Sequence, residues 1–345
     1  MKRIITIIVF TACAAVLMSS CQISKPEVKV GVPMTIQASV VAPPETKTVY
    51  DYNSSEKSLE GSWDSDEAIT VVSFDKNGIT AVDKFTSTGE RGRTKAEFSG
   101  CWNGNTGDRI ICLYPDVDTY AGNSIFDGVR VGDPFIYIRK LSTPSSPLQD
   151  NNTDAVSDVD LMLGEVTLSG DVAHVNLEHL FAVFRIEATL QNLPYDGEPY
   201  YGASINSIRI KCVDPESNDY DDYPMMDPVF VRRSSLDVTT DSYTGKPKTE
   251  EKGPLDYFLI SAGNYSDFHM DGNTPVTKTF FVPVRFDRNL EAGYKLCLQF
   301  GGYYYDYHTG NPTQIDVFPA GDKQITLPST LPLENGKVYC INVTI

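Results

Sequence analysis

The sequence predicts an all-β protein built as tandem antiparallel β-sandwiches, and three observations carry that expectation. Apolar and polar residues alternate with period two along much of the chain, and no long stripe of period 3.6 competes with them. The 25 Gly and 21 Pro punctuate the chain densely, and 19 Tyr suit pleated surfaces, which argues against a helical bundle. The 345 residues exceed the size at which single cores stop growing, roughly 250–300 residues, so two domains are expected.

The first segment reads as an address. Lys2 and Arg3 form a positive start, Ile4 to Met18 an apolar run, and Ser19-Ser20 the small residues of a cleavage site. The run is too short for a spanning helix, which needs about 20 apolar residues. Residues 1–20 are therefore expected to be a lipoprotein signal peptide. Met18-Ser19-Ser20-Cys21 resembles a bacterial lipobox, with Met18 where Leu is usual. Cys21 would carry the lipid, because two or three acyl chains anchor stably where one does not. The expected product is a soluble body held at the outer membrane and displayed on the cell surface.

The strands follow in order. Met34, Ile36, Ala38 and Val40 share one face, with Thr35, Gln37 and Ser39 on the other. Ala68–Phe74 and Ile79–Phe85 read as strands joined by Asp75-Lys76-Asn77-Gly78, in which Asn-Gly tolerates positive φ. Lys95–Ser99 and Arg109–Tyr114 bracket a Gly- and Asn-rich turn. Leu180–Leu190 is a strand and not a helix: Ala182, Phe184, Ile186, Ala188 and Leu190 form one apolar face. Ile208, Ile210 and Cys212 alternate with Arg209 and Lys211, and Leu296, Leu298 and Phe300 with Lys295, Cys297 and Gln299. Pro283 places the strand Phe280–Phe286 at an edge or bulge. Tyr339, Ile341, Val343 and Ile345 face one way in a final strand. Gln191–Gly202 is the expected joint, giving sandwich domains over residues 21–190 and 191–345. Asp214–Asp227 and Thr239–Gly253 read as long loops.

Charge excludes one class of partner. With 46 Asp and Glu against 29 Lys and Arg, the chain carries −17 and lacks the basic face that nucleic acid requires. Catalytic signatures are absent: no GxSxG, HExxH or P-loop occurs, and His174, His179, His269 and His308 are scattered. The chain is expected not to be an enzyme, with no cofactor and no metal site. Asp150, Asn152, Asp154 and Asp158 imitate a calcium loop, but Ala155 and Leu161 replace its Gly and Glu. The acidic run Asp219, Asp221, Asp222 and Asp227 reads as a solvated loop. Beyond Cys13 and Cys21, the five remaining Cys are an odd number. Small buried side chains are favoured over a Cys101–Cys112 disulfide. Trp63 and Trp102 read as packing residues and His179 as a core or turn residue. Tyr303, Tyr304, Tyr305 and Tyr307 form an aromatic run, and with Tyr200-Tyr201 they mark where a glycan or host protein would touch.

Several landmarks in order resemble the fimbrillin family of Bacteroidetes pilus subunits. Behind the lipobox come the Met34–Val41 strand, Trp63 and Asp66 in WDSDEAITVVSF, and Tyr114-Pro115 in RIICLYP. SDVDLMLGEV, NLEHLFAVFRIEATL and ENGKVYCINVTI follow, and the likeness spans nearly the whole chain after residue 21. The resemblance implies two transthyretin-like Greek-key sandwiches in a fimbrial subunit serving cell adhesion, as stalk, anchor or accessory. It further implies that a protease removes the first strand and that a strand of another fimbrial subunit fills the groove left by Met34, Ile36, Ala38 and Val40. The usual cut follows Arg, yet no Arg lies between Arg3 and Arg91, so Lys47 in APPETKTVYDY is the expected site. The alternative is a surface glycan-binding lipoprotein. Exchange needs a detachable first strand; one hemmed in on both sides would count for an anchored adhesive module instead.

Overall fold

The computed structural model describes residues 31–40, 49–53, 58–63, 66–88, 95–117, 126–127, 129–138, 151–153, 156, 161–169, 172–191, 200–213, 230–252, 255–258, 268–271, 274–286, 289–306, 311–315 and 322–345. The strands of the first half are β1 (Val32–Val40), β2 (Val49–Asn53), β3 (Ser58–Ser62), β4 (Ala68–Asp75), β5 (Gly78–Ser87) and β6 (Lys95–Trp102). They continue with β7 (Arg109–Tyr114), β8 (Phe126–Asp127), β9 (Phe135–Ile138), β10 (Met162–Ser169), β11 (Val172–His179) and β12 (Ala182–Leu190). The second half supplies β13 (Tyr200–Val213), β14 (Val231–Asp237), β15 (Lys248–Lys252), β16 (Leu255–Phe258) and β17 (Phe268–Asp271). It ends with β18 (Val276–Val284), β19 (Lys295–Asp306), β20 (Pro312–Ile315), β21 (Asp322–Thr326) and β22 (Val338–Thr344).

The all-β expectation holds, but the first half is not a sandwich. Strands β1-β11-β10-β7-β4-β5-β6 close into a barrel. Closure removes sheet edges, which an open sheet would have to protect by other means. Inside lie Ile36, Val71, Phe85, Phe98, Cys112 and Val175, all essentially without solvent contact. The β4–β5 turn is Lys76-Asn77, with Gly78 opening β5 opposite Asp75. Gly78 has φ of 127°, and a Cβ there would stand 2.6 Å from the Asp133 carbonyl oxygen.

A second core lies on the outside of the barrel wall. Val72, Phe74, Ile111 and Leu113 pack with Phe126, Ile136, Ile138 and Leu236 of the sheet β15-β14-β9-β8. Thr239–Gly253, expected as a loop, contains β15. KTEEK has no apolar alternation to announce it, and β15 stands at the edge of that sheet.

The strand expected to close the first domain belongs to another sheet. Strand β12 is the centre of β18-β12-β22, antiparallel to β18 and parallel to β22. Its even residues Ala182 to Leu190 join a third core with Ile205, Ile208, Ile210, Leu298 and Phe300 of the six-stranded sheet β16-β13-β19-β20. In that sheet β17 also pairs with β13, and β21 with β19. Val183 on the opposite face of β12 joins the second core, while Arg185, Glu187 and Thr189 further along that face are half-buried. The sheets β18-β12-β22 and β16-β13-β19-β20 thus share one core, with β12 drawn from the residues before 191. Pro283 stands in β18, at the edge, where its missing N–H leaves no ladder unfilled. The final strand completes its own sheet through β12.

Candidate functional site

The first strand occupies a slot between β11 and β6. Residues 36–40 run parallel to β11, with Ile36 opposite Ala173 and Val40 opposite Leu177. Barrel closure brings β6 to the other side. The expectation of a freely detachable first strand is therefore corrected: β1 is held by neighbours on both flanks, the arrangement that counts for an anchored adhesive module, and cannot slide out by breaking one ladder. The reason is geometric, since a seven-stranded barrel at this register has no free edge to offer.

Alternation sorts the strand as its sequence requires. Ile36 and Ala38 point into the barrel and are 0% and 1% exposed; Met34 is half-buried and packs against the same core. The Val40 side chain, Lys47 and Cys21 lie outside the described residues. On the outer face three polar contacts line the slot. The Thr35 and Ser99 hydroxyls are 3.0 Å apart, and Gln37 Nε2 donates to Glu97 Oε1 at 3.2 Å on the β6 side. On the β11 side, Ser39 Oγ donates to Asn176 Oδ1 at 2.6 Å. Sequence reading marked the apolar face of this strand and missed these partners, because cross-strand register is invisible in one sequence.

Trp63, expected as packing, is 1% exposed and stands edge-on to Phe98 and Tyr114, with centroids at 5.2 and 5.3 Å. Trp102 is half-buried and donates to Ser73 Oγ at 2.7 Å. After Tyr114-Pro115 the buried Asp116 accepts from Thr70 Oγ1 at 2.7 Å and pairs with Lys84. His179 is buried edge-on to Phe181.

Outside the barrel wall Arg109 grips Glu165 through two bonds of 2.8 Å, with its guanidinium 4.5 Å from the Tyr243 ring centroid. Hydrogen bonding to Glu165 holds the Arg109 pKa above its ordinary value. Burial, followed by the Glu165 charge, pushes the Tyr243 phenol up to about 12, against a smaller opposing effect of Arg109. A phenol raised in the folded state favours folding below its unfolded pKa, roughly 10, and that contribution disappears as pH rises through about 12. Tyr243→Phe is accordingly expected to flatten the loss of stability between those values, read as urea midpoints of variant and wild type from pH 8 to pH 12.

The tyrosine run is only partly gathered. Tyr303 is half-buried in β19, opposite Ser204 of β13 and Gln314 of β20. Ser204 Oγ lies 2.7 Å from His269 Nδ1 on the next strand, so His269, Ser204, Tyr303 and Gln314 form one row across the sheet. Gly302 allows the close approach, since a Cβ there would sit 1.9 Å from the Ser204 carbonyl oxygen. The side chains of Tyr304 and Tyr305, the whole of Tyr307, the acidic run 219–227 and most of the imitated calcium loop lie outside the described residues.

The five cysteines among the described residues, Cys101, Cys112, Cys212, Cys297 and Cys340, form no disulfide with one another. Cys112, Cys212 and Cys297 are buried as expected, and burial raises the Cys112 and Cys297 thiols. Cys101 and Cys340 correct that expectation: both are exposed, on the outward positions of their strands.

No protein-family model matches the chain, and no curated protein matches it. Solved structures similar to it are Bacteroidales cell adhesion and fimbrial proteins. One, from Bacteroides ovatus and provisionally named a cell adhesion protein, is 13% identical, with a TM-score of 0.40, over 92% of this chain and 93% of that one. A fimbrial assembly protein from Parabacteroides distasonis is 13% identical, with a TM-score of 0.36, over 91% of each. A fimbrial protein from Bacteroides ovatus is 11% identical, with a TM-score of 0.33, over 92% of this chain and 50% of that one.

Proposed function

We propose that this chain is a structural subunit of a cell-surface fimbria serving cell adhesion, lipid-anchored through Cys21 until it is cut. Subunits would join by replacement of β1 after proteolysis in residues 41–48, at Lys47, a cut that releases the anchor with the first strand. The carrying observation is the slot itself. Strand β1 is joined to the rest of the barrel in sequence only through the segment that follows it, so one cut there separates it covalently. Its two ladders count for an anchored adhesive module and against easy exchange; what supports exchange is that removal of β1 would leave two facing strand edges around an apolar floor at Ile36 and Ala38. Main-chain bonds would then supply affinity, and alternate side chains register.

Strand β22 has the pattern of a replacement. Ile341, Val343 and Ile345 repeat the inward positions of Ile36, Ala38 and Val40, while Asn342 and Thr344 repeat Gln37 and Ser39. Both strands lie parallel to their partners, β11 and β12. The alternative of a glycan-binding lipoprotein is favoured by the polar row around Tyr303. Edman sequencing of surface-shed protein is expected to begin at Thr48, with SDS-resistant ladders on gels. An intact N-terminus, no ladders and retention on polysaccharide beads would replace this reading with the alternative.

A further inference from the structure

The outer face of the slot is not neutral. On one flank Glu97 offers a carboxylate, which can only accept hydrogen bonds, and it takes one from Gln37; on the other, Asn176 accepts from Ser39. We infer that Glu97 and Asn176 select the strand that enters the slot, admitting an amide or cation beside Glu97 and a hydroxyl donor beside Asn176 and disfavouring a carboxylate beside Glu97. The inference rests on the replacement reading and adds the chemistry that discriminates among strands.

The chain itself shows why such a filter has work to do. Acidic residues outnumber basic ones 46 to 29, so an arbitrary strand from another copy carries an outward carboxylate more often than a cation. Strand β10 illustrates the hazard. Glu165-Val166-Thr167 repeats the spacing of Gln37-Ala38-Ser39 with a carboxylate in the amide position, and would place two carboxylates side by side. Strand β22 spells Asn342-Val343-Thr344, an amide then a hydroxyl, both exposed. In its own sheet Asn342 again stands at the register position of an acidic residue, Glu187. Like charges directly opposite on adjacent strands are unfavourable, and a repulsive element sharpens specificity beyond what attraction alone supplies.

The test uses the full chain with a specific protease site placed in residues 41–48, cut and then mixed with fluorescein-labelled peptides. A peptide of residues 338–345 and its Asn342→Asp form are compared by anisotropy. The cut chain is expected to bind the first about fivefold more tightly than the second, as a lost hydrogen bond and a new like-charge pair together predict. Glu97→Gln should bring the two within about twofold, and added salt should narrow the gap in the wild type, because exposed charges are screened. Asn176→Ala should weaken the unmodified peptide alone, relative to a Thr344→Val form. Equal binding of the Asn and Asp peptides to the wild-type slot overturns the selection and leaves replacement standing. Failure of both these peptides and a residue 33–40 peptide to bind overturns replacement, and the selection with it.

Discussion

Replacement of Trp63 by alanine is expected to destabilise the fold by about 3–5 kcal/mol, the usual cost of truncating a large buried aromatic. The ring is 1% exposed and braces Phe98 of β6 against Tyr114 of β7, two strands that lie apart in the barrel order. Its loss would leave a cavity that those strands cannot close without moving. Trp63→Phe separates packing from polarity. Among the described residues the buried indole Nε1 has no hydrogen-bond partner, and an unmet donor costs about 1–3 kcal/mol. Removing that donor offsets part of the lost volume, so the Phe variant should lose roughly 1–2 kcal/mol, less than the Ala variant. Urea unfolding followed by far-UV circular dichroism measures both, and in either variant Trp102 is the one remaining tryptophan. A loss below about 1 kcal/mol for Trp63→Ala would show that the ring is not a brace.

The elements most legible in the sequence are those with one buried face. Strand β12 announced itself because five even positions enter a single core, and the β4–β5 hairpin because Asp75-Lys76-Asn77-Gly78 carries turn residues, with Gly78 taking the positive φ. Strand membership was harder to read. The alternation in β12 is the same whether its neighbours come from the first half or the second, so its pairing with β18 and β22 left no local trace. Closure of the barrel was hidden for a similar reason, since sandwiches and barrels share period two and differ only in register. Short strands such as β8 and β9 carry too few residues to show a period. In the slot, the inward residues Ile36 and Ala38 were readable as apolar, whereas the partners of Gln37 and Ser39 lie 60 and 137 residues away. Neither Glu97 nor Asn176 differs in the sequence from any other solvated polar residue.

Ile36→Asp puts the replaceability of the first strand under direct strain. Ile36 is 0% exposed inside the barrel, where an unpaired carboxylate plus the lost aliphatic packing would cost more than about 4 kcal/mol if the strand stayed in place. The chain has a less costly response, because a strand attached at one end can leave while the others hold. The cost to the fold is then limited to that of releasing β1, and damage should stop at its neighbours. The expected hydrogen-exchange result is loss of protection in β1, β6 and β11, with new tryptic cleavage at Lys47. Strands β12, β13, β18, β19 and β22 should stay protected, since their shared core contains no residue of the barrel interior. Lowering the pH should draw β1 back, because burial raises a carboxylate's pKa and the neutral acid is less costly inside. Unfolding of the whole chain in one transition, with the β12 sheet lost alongside the barrel, would mean that the barrel cannot outlast its first strand. A subunit of that kind would have no intact slot in which to receive another.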